Sequence, residues 1–217
     1  MEKDRKKYIS HIIKNLKEIY GIKKCPLKFA DPFELLAAVI LSAQCTDERV
    51  NKVTDVLFKK YRNLKDYAEA DIFEFRNCIR SAGFFRNKAE NIIKSAQIIL
   101  KSYDGKVPDT MEELVKLPGV GRKTANVVLS AAFGKVEGIA VDTHVIRIAN
   151  LLGLTKYKDP LKIENDLMST VPKKDWIVFS LLIQTLGRKV CKARNPMHVY
   201  CCLNKICPSA QNTILKA

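Results

Sequence analysis

No apolar run in this chain of 217 residues approaches the roughly 20 needed to cross a bilayer as a helix; the longest, Leu35 to Leu41, has the length of a buried helix segment. The opening stretch MEKDRKKYISHIIKNLKEIYG lacks the continuous apolar core of a secretory leader. Acidic residues are scarce beside basic ones, 23 against 38, which leaves a formal charge of +15 and a pI of about 9.5. No segment alternates apolar and polar residues with the period of two of a half-buried strand, and no stretch repeats another. These shortages point away from a helical membrane span, an exported chain and a β fold. Cysteine is spread thinly except at one end, where Cys191, Cys201, Cys202 and Cys207 account for four of the seven. A secreted disulfide framework distributes its cysteines along a shorter chain, so the expectation is a soluble protein of a reducing compartment, the prokaryotic cytoplasm.

What is abundant is positive charge and helical periodicity. An excess of 15 cationic side chains calls for a polyanionic partner, and nucleic acid and anionic membrane both satisfy it. Between Lys88 and Lys101, the residues Ala89, Ile92, Ile93, Ala96, Ile99 and Leu100 recur at intervals of three and four and form one apolar stripe. Comparable stripes predict helices over Tyr8 to Tyr20, Phe33 to Ser42, Glu48 to Lys60, Ile72 to Ser81, Met111 to Lys116, Thr124 to Phe133, Thr143 to Leu152, Leu161 to Val171 and Trp176 to Arg188. Glycines and prolines fall between them, and the predicted fold class is all-α.

One string concentrates chemistry. In Leu117-Pro118-Gly119-Val120-Gly121-Arg122-Lys123-Thr124-Ala125, Pro118 fixes a torsion, while Gly119 and Gly121 permit positive torsions and close approach of a partner. The N–H groups at the start of the helix that follows lack intrahelical acceptors and form the positive pole, which suits a phosphate. Nineteen residues after Lys123, Asp142 ends the apolar run Ile139-Ala140-Val141 and precedes Thr143-His144. Asp142 fits two compatible roles, a helix cap and a reactive carboxylate. His144 reads as a structural histidine.

The string LPGVGRKTANVVL with AVDTH downstream resembles the helix-hairpin-helix and following loop of the endonuclease III family of base-excision DNA glycosylases. Leu41-Ser42-Ala43-Gln44-Cys45-Thr46-Asp47, Asn87-Lys88-Ala89-Glu90-Asn91-Ile92-Ile93 and the cysteine-rich end extend the resemblance over nearly the whole chain in the family's order. It implies two helical lobes with a DNA cleft between them: a six-helix barrel over residues 25–135, and a second lobe from residues 1–24 and 136–217 with a metal loop. It implies Lys123 as nucleophile, its neutral amine attacking the sugar carbon that bears the damaged base and forming a Schiff base. Asp142 would stabilise the cationic sugar and assist proton transfer at the lysine. DNA contacts would come from Leu117, Gly119 and Gly121 of the hairpin and from Lys189, Lys192 and Arg194 beside the metal loop. Gln44 matches the side chain that the family inserts into the duplex, and Phe84, in Ser81-Ala82-Gly83-Phe84-Phe85, falls where the family carries an apolar wedge. Read by itself, Phe84 fits a core position as well.

The cysteine-rich end departs from the family's C-x6-C-x2-C-x5-C pattern for a 4Fe-4S cluster. The aligned residues are Cys191, His198, Cys201 and Cys207, so histidine stands at the second position and Cys202 is an additional thiol. Four outcomes stay open: His198 as fourth iron ligand, Cys202 in its place, zinc in a Cys3His site, or an empty loop, which the crowding of four cysteines in a reducing compartment disfavours. The resemblance favours the iron cluster, in a structural role. Cys25, Cys45 and Cys78 read as small buried hydrophobes. The charges of Lys3 to Lys7 and Lys14 to Lys24 suit either DNA contact or a solvated face. The reading that follows is a monomeric, nucleoid-associated glycosylase and AP lyase, acting on oxidised pyrimidines and abasic sites in double-stranded DNA. Two competitors are a monofunctional mismatch glycosylase of the same fold and a non-catalytic helix-hairpin-helix DNA-binding protein.

Overall fold

The computed structural model describes residues 2–22 and 24–210. Its helices are α1 (Glu2–Tyr20), α2 (Pro32–Leu41), α3 (Asp47–Lys60), α4 (Leu64–Ala68), α5 (Ile72–Cys78), α6 (Phe85–Ser102), α7 (Met111–Leu114), α8 (Arg122–Phe133), α9 (Thr143–Leu151), α10 (Pro160–Met168) and α11 (Trp176–Lys189). Among the described residues there is no strand, and no helix is long and apolar enough to cross a membrane. The all-α expectation holds.

Most helices begin where sequence chemistry marks them. Asp31 accepts from Phe33 and Glu34 N–H ahead of Pro32, and Thr46, Asp71, Thr110, Asp142 and Asp159 each accept one first-turn N–H. The short α4 escaped the periodicity reading because five residues cannot display a stripe; the reciprocal capping box of Asn63 and Asp66 nucleates it. Helix α1 starts at Glu2 rather than Tyr8, since lysine, arginine and glutamate are good helix formers even without an apolar face. The stretch expected as one helix from Ile72 to Ser81 divides into α5 and a separate 3-10 turn, Arg80–Ala82.

The chain forms two compact units, one running from Cys25 to Glu137 and the other joining the residues before Cys25 to those from Gly138 onward. In the first, eight of the ten residues of α2 are buried, so this helix is apolar on every side and is surrounded, by α3, α6 and α8. At one end Phe33, Tyr61, Tyr67 and Phe75 cluster, with ring centroids 4.9 to 6.1 Å apart. Fully buried leucines such as Leu35, Leu36, Leu41 and Leu57 each contribute about 1.5–3 kcal/mol.

In the second unit α1 packs on α11, and α11 on α9. Ile9, Ile12, Ile13 and Leu16 supply the buried face of α1, and Phe179, Leu182, Ile183 and Leu186 that of α11. Polar ties join the first helix to the chain's far end. Arg5 donates to Leu154 O and pairs with Asp166 at 2.9 Å, Lys17 pairs with Asp175 at 2.7 Å, and Tyr8 donates to Leu152 O and Ile206 O. Two of the N-terminal cations, Arg5 and Lys17, are therefore engaged by carboxylates of the same chain. Lys23 and the Lys3 side chain lie outside the described residues.

Candidate active site

The hairpin is built from inside the first unit. Val120 N–H donates to Leu117 O at 3.1 Å and closes the turn, while the Leu117 and Val120 side chains anchor it in the core at 2% and 6% exposure. Leu117, expected among the DNA contacts, thus holds the turn from beneath: as the apolar residue at the foot of the hairpin it gains more from burial than from solvent. Gly119 takes φ +76°, and a Cβ there would stand 2.6 Å from Asn91 Nδ2. Ser95, one turn further along α6 from Asn91, donates to Pro118 O at 3.3 Å. Gly121 differs from the positive torsion allowed for it. Its φ is −94°, and a Cβ added there would meet nothing within 4 Å. Packing therefore requires glycine at 119, whereas at 121 the absent side chain leaves room on the outside.

Gly121 is also the N-cap of α8 and has no side chain with which to cap it. The first turn of α8 consequently presents its positive pole beside the hairpin. Lys123 occupies the second position of this turn and is half-buried. Its field reaches Cys25: burial pushes the Cys25 thiol up, and the Lys123 charge works against that.

Gln44 and Phe84 lie on the same unit, each in a left-handed backbone conformation, φ 53° and 47°. Phe84 is 65% exposed, which removes it from the core; Phe85, half-buried, is the aromatic that packs inward. Between the segments carrying them lies Lys88, only 4% exposed. Its ammonium donates to Leu41 O at 2.8 Å and Ala82 O at 2.9 Å, and burial holds its pKa below the ordinary lysine value. Sequence reasoning passed over Lys88 as a residue in its own right. The signal was its place four residues before Ile92, on the buried stripe of α6, where a cation needs a reason to be.

Asp142 belongs to the second unit. Its Oδ1 accepts from Val145 N–H at 2.9 Å, so the capping role is realised, and Ile139 and Val141 bury the approach to it. Helix α11 fixes the segment at two points. Ser180 donates to Ala140 O at 2.6 Å, and Gly187 makes room for His144, whose Nδ1 would lie 2.6 Å from a Cβ at that position. Burial lowers the His144 pKa; Asp142 opposes this, and Arg188 and Arg147 add to it.

The cysteine-rich end follows α11. Arg147 donates to Cys191 Sγ at 3.6 Å, Cys207 Sγ donates to Leu151 O at 3.8 Å, and Cys201 and Cys202 share a hydrogen bond that holds Cys202 down to about 7 while pushing Cys201 up. Burial pushes the Cys191 thiol up, and Cys201 and Cys207 add to this while Arg147 opposes it. Among the described residues no three His, Cys, Asp or Glu side chains close into a metal-binding group. By residue type alone, three thiols with one imidazole or a fourth thiol suit iron or zinc. His198 begins a 3-10 turn, His198–Tyr200, and is half-buried. Lys192 and Arg194 are exposed, and Lys189 extends over the Tyr20 ring, 5.8 Å from its centroid.

These features have counterparts in known proteins. Residues 37–173 match the HhH-GPD superfamily base excision DNA repair protein family. Endonuclease III of Synechocystis sp. is 51% identical over 207 residues, 95% of this chain and 94% of its own. Endonuclease III of Bacillus subtilis is 47% identical over 206 residues, 94% of each chain. A solved structure of a trapped endonuclease III–DNA covalent intermediate superposes with a TM-score of 0.90 at 44% identity, over 96% of this chain and 98% of that one. A match of this extent, in both sequence and fold, makes the chain a member of the endonuclease III family within the HhH-GPD superfamily of base excision DNA repair proteins.

Proposed function

We infer that the protein is a bifunctional DNA glycosylase and AP lyase of base excision repair, removing oxidised pyrimidines from duplex DNA and cutting 3′ to the abasic site. The observation that carries this reading is Lys123, an amine in the first turn of α8, in a chain 44% identical to an endonuclease III trapped covalently on DNA. The hairpin amides and the pole of α8 grip a phosphate, and Gly121, with open space where a side chain would stand, admits the backbone closely. The neutral Lys123 Nζ attacks C1′ as the bond to the base breaks. The base leaves with a proton, the sugar ring opens, and the amine becomes an imine. Loss of a C2′ proton expels the 3′ phosphate, and water then hydrolyses the imine to return the lysine. Asp142, held through Oδ1 by its cap to Val145, stabilises the developing cation and assists the proton transfers. Gln44 and Phe84 fill the gap that the extruded nucleotide leaves, and Lys189, Lys192 and Arg194 meet phosphates as point charges.

Cys191, His198, Cys201 and Cys207 would hold a 4Fe-4S cluster, Cys202 being the alternative to His198. When bound, the cluster would brace the loop that carries Lys192 and Arg194, and no step of the reaction runs through it. The protein acts as a single chain on DNA in the cytoplasm. Borohydride trapping on a thymine glycol duplex tests the central claim. An adduct with the unaltered protein that vanishes in Lys123→Gln is expected, and no adduct on this duplex or an abasic one would remove the lyase.

A further inference from the structure

We propose that Lys88 is a positioning residue for base extrusion, its buried ammonium tying together the two segments from which Gln44 and Phe84 project. The proposal rests on the reading of those two side chains as gap fillers.

Leu41 is the last residue of α2, and Ala82 the last of the 3-10 turn Arg80–Ala82. Carbonyls at helix ends lack an intrahelical donor and carry the negative pole, so one ammonium reaching both satisfies two acceptors at once. Just beyond each tie the chain enters a left-handed conformation, at Gln44 and at Phe84. Residues with a side chain adopt that conformation seldom, and it persists where the surroundings hold it. Gln44 and Phe84 are themselves exposed, so their own packing does not fix them. Lys88 is covered on every side, and its hydrogen-bond partners are two carbonyls. A methionine would fill the same space without the desolvation that burying an ammonium costs. What the lysine adds is a fixed spacing between two loops that contact each other through it.

Removing the tie should therefore impair reactions that need a base pushed out of the stack more than reactions at a site that has already lost its base. The experiment compares unaltered protein, Lys88→Met, Gln44→Ala and Phe84→Ala. It measures single-turnover base release from a thymine glycol duplex, cleavage of an abasic duplex, and fluorescence of 2-aminopurine opposite a borohydride-reduced abasic site. For Lys88→Met, base release should fall about tenfold while abasic cleavage stays within about threefold, as expected for misplacement of groups remote from the bond broken. Its 2-aminopurine response should shrink as it does in Gln44→Ala and Phe84→Ala. Equal losses on both substrates overturn the proposal, as does a normal 2-aminopurine response in Lys88→Met when the other two variants diminish it. If neither Gln44→Ala nor Phe84→Ala changes that response, the gap-filling reading itself fails. Should Lys88→Met not fold, Lys88→Gln, which keeps two N–H donors on a shorter stem, is judged by the same criteria.

Discussion

Gly119 and Asn91 meet so closely that a Cβ on the glycine would lie 2.6 Å from Asn91 Nδ2 and 3.0 Å from Asn91 Cβ. The hairpin thus rests directly on α6, and its height above that helix is set by the missing side chain. Gly119→Ala incurs both the clash and the cost of an L residue at φ +76°, together about 2–4 kcal/mol. Urea denaturation should show that loss, and affinity for duplex DNA should fall with it. Gly121→Ala, which meets nothing within the protein, should keep stability within about 0.5 kcal/mol and lose affinity alone.

Asp142 caps α9 and, in the function proposed above, also has a chemical role, and two substitutions separate the two. Asparagine keeps an oxygen for Val145 N–H, so Asp142→Asn should melt as the unaltered protein does, whereas Asp142→Ala should lose about 1 kcal/mol with the cap. Both should slow base release by about 10²–10⁴. Thermal melts beside single-turnover kinetics distinguish the outcomes, and full activity in Asp142→Asn would remove the carboxylate from the chemistry.

Phe84 sits at φ 47° with 65% of its surface exposed, so the fold gains little from its ring. Phe84→Gly relieves the backbone and should leave the thermal midpoint unchanged or higher. Binding to a lesion duplex should weaken by about 1–3 kcal/mol, the usual worth of an aromatic stacked on a base. A lowered midpoint with unchanged binding would contradict the gap-filling role.

His144 gives the protein an acid limb of stability. Burial holds its folded pKa below the ordinary 6.5, so between those two values the unfolded chain carries the extra proton. Stability is full above about pH 6.5 and declines as the pH falls through that value towards the folded pKa. Urea midpoints measured from about pH 8 to pH 5 should fall less steeply in His144→Asn, with the difference arising below about pH 6.5. Parallel curves would show that the imidazole does not titrate between states.

The proposed cluster is tested by composition. Protein purified anaerobically should contain iron and acid-labile sulfide, retain them in Cys202→Ser and lose them in His198→Ala. Stoichiometric zinc without sulfide would replace the cluster by a Cys3His zinc site.

Much of this was legible in the chain because it depends on neighbours in sequence. Helical periodicity, the cap at Asp142, the hairpin string and the crowding of cysteines are local patterns, and local patterns follow from torsions and hydrogen bonds within a few residues. Phe84 against Phe85 could not be decided there, since adjacent residues on a turn differ only in which one finds a core to enter. The role of Lys88 was equally hidden, because Leu41 O lies 47 residues away and only packing brings it within 2.8 Å. The sequence by itself determined that this is a helical, basic protein of a DNA-repair family, with a lysine at a helix start and an aspartate after an apolar run. Tertiary structure decided which groups hold those residues in place: Asn91 and Ser95 under the hairpin, Lys88 between the two loops, Ser180 and Gly187 behind Asp142. Such contacts form between residues far apart in the chain, so their geometry exists only once the core has closed.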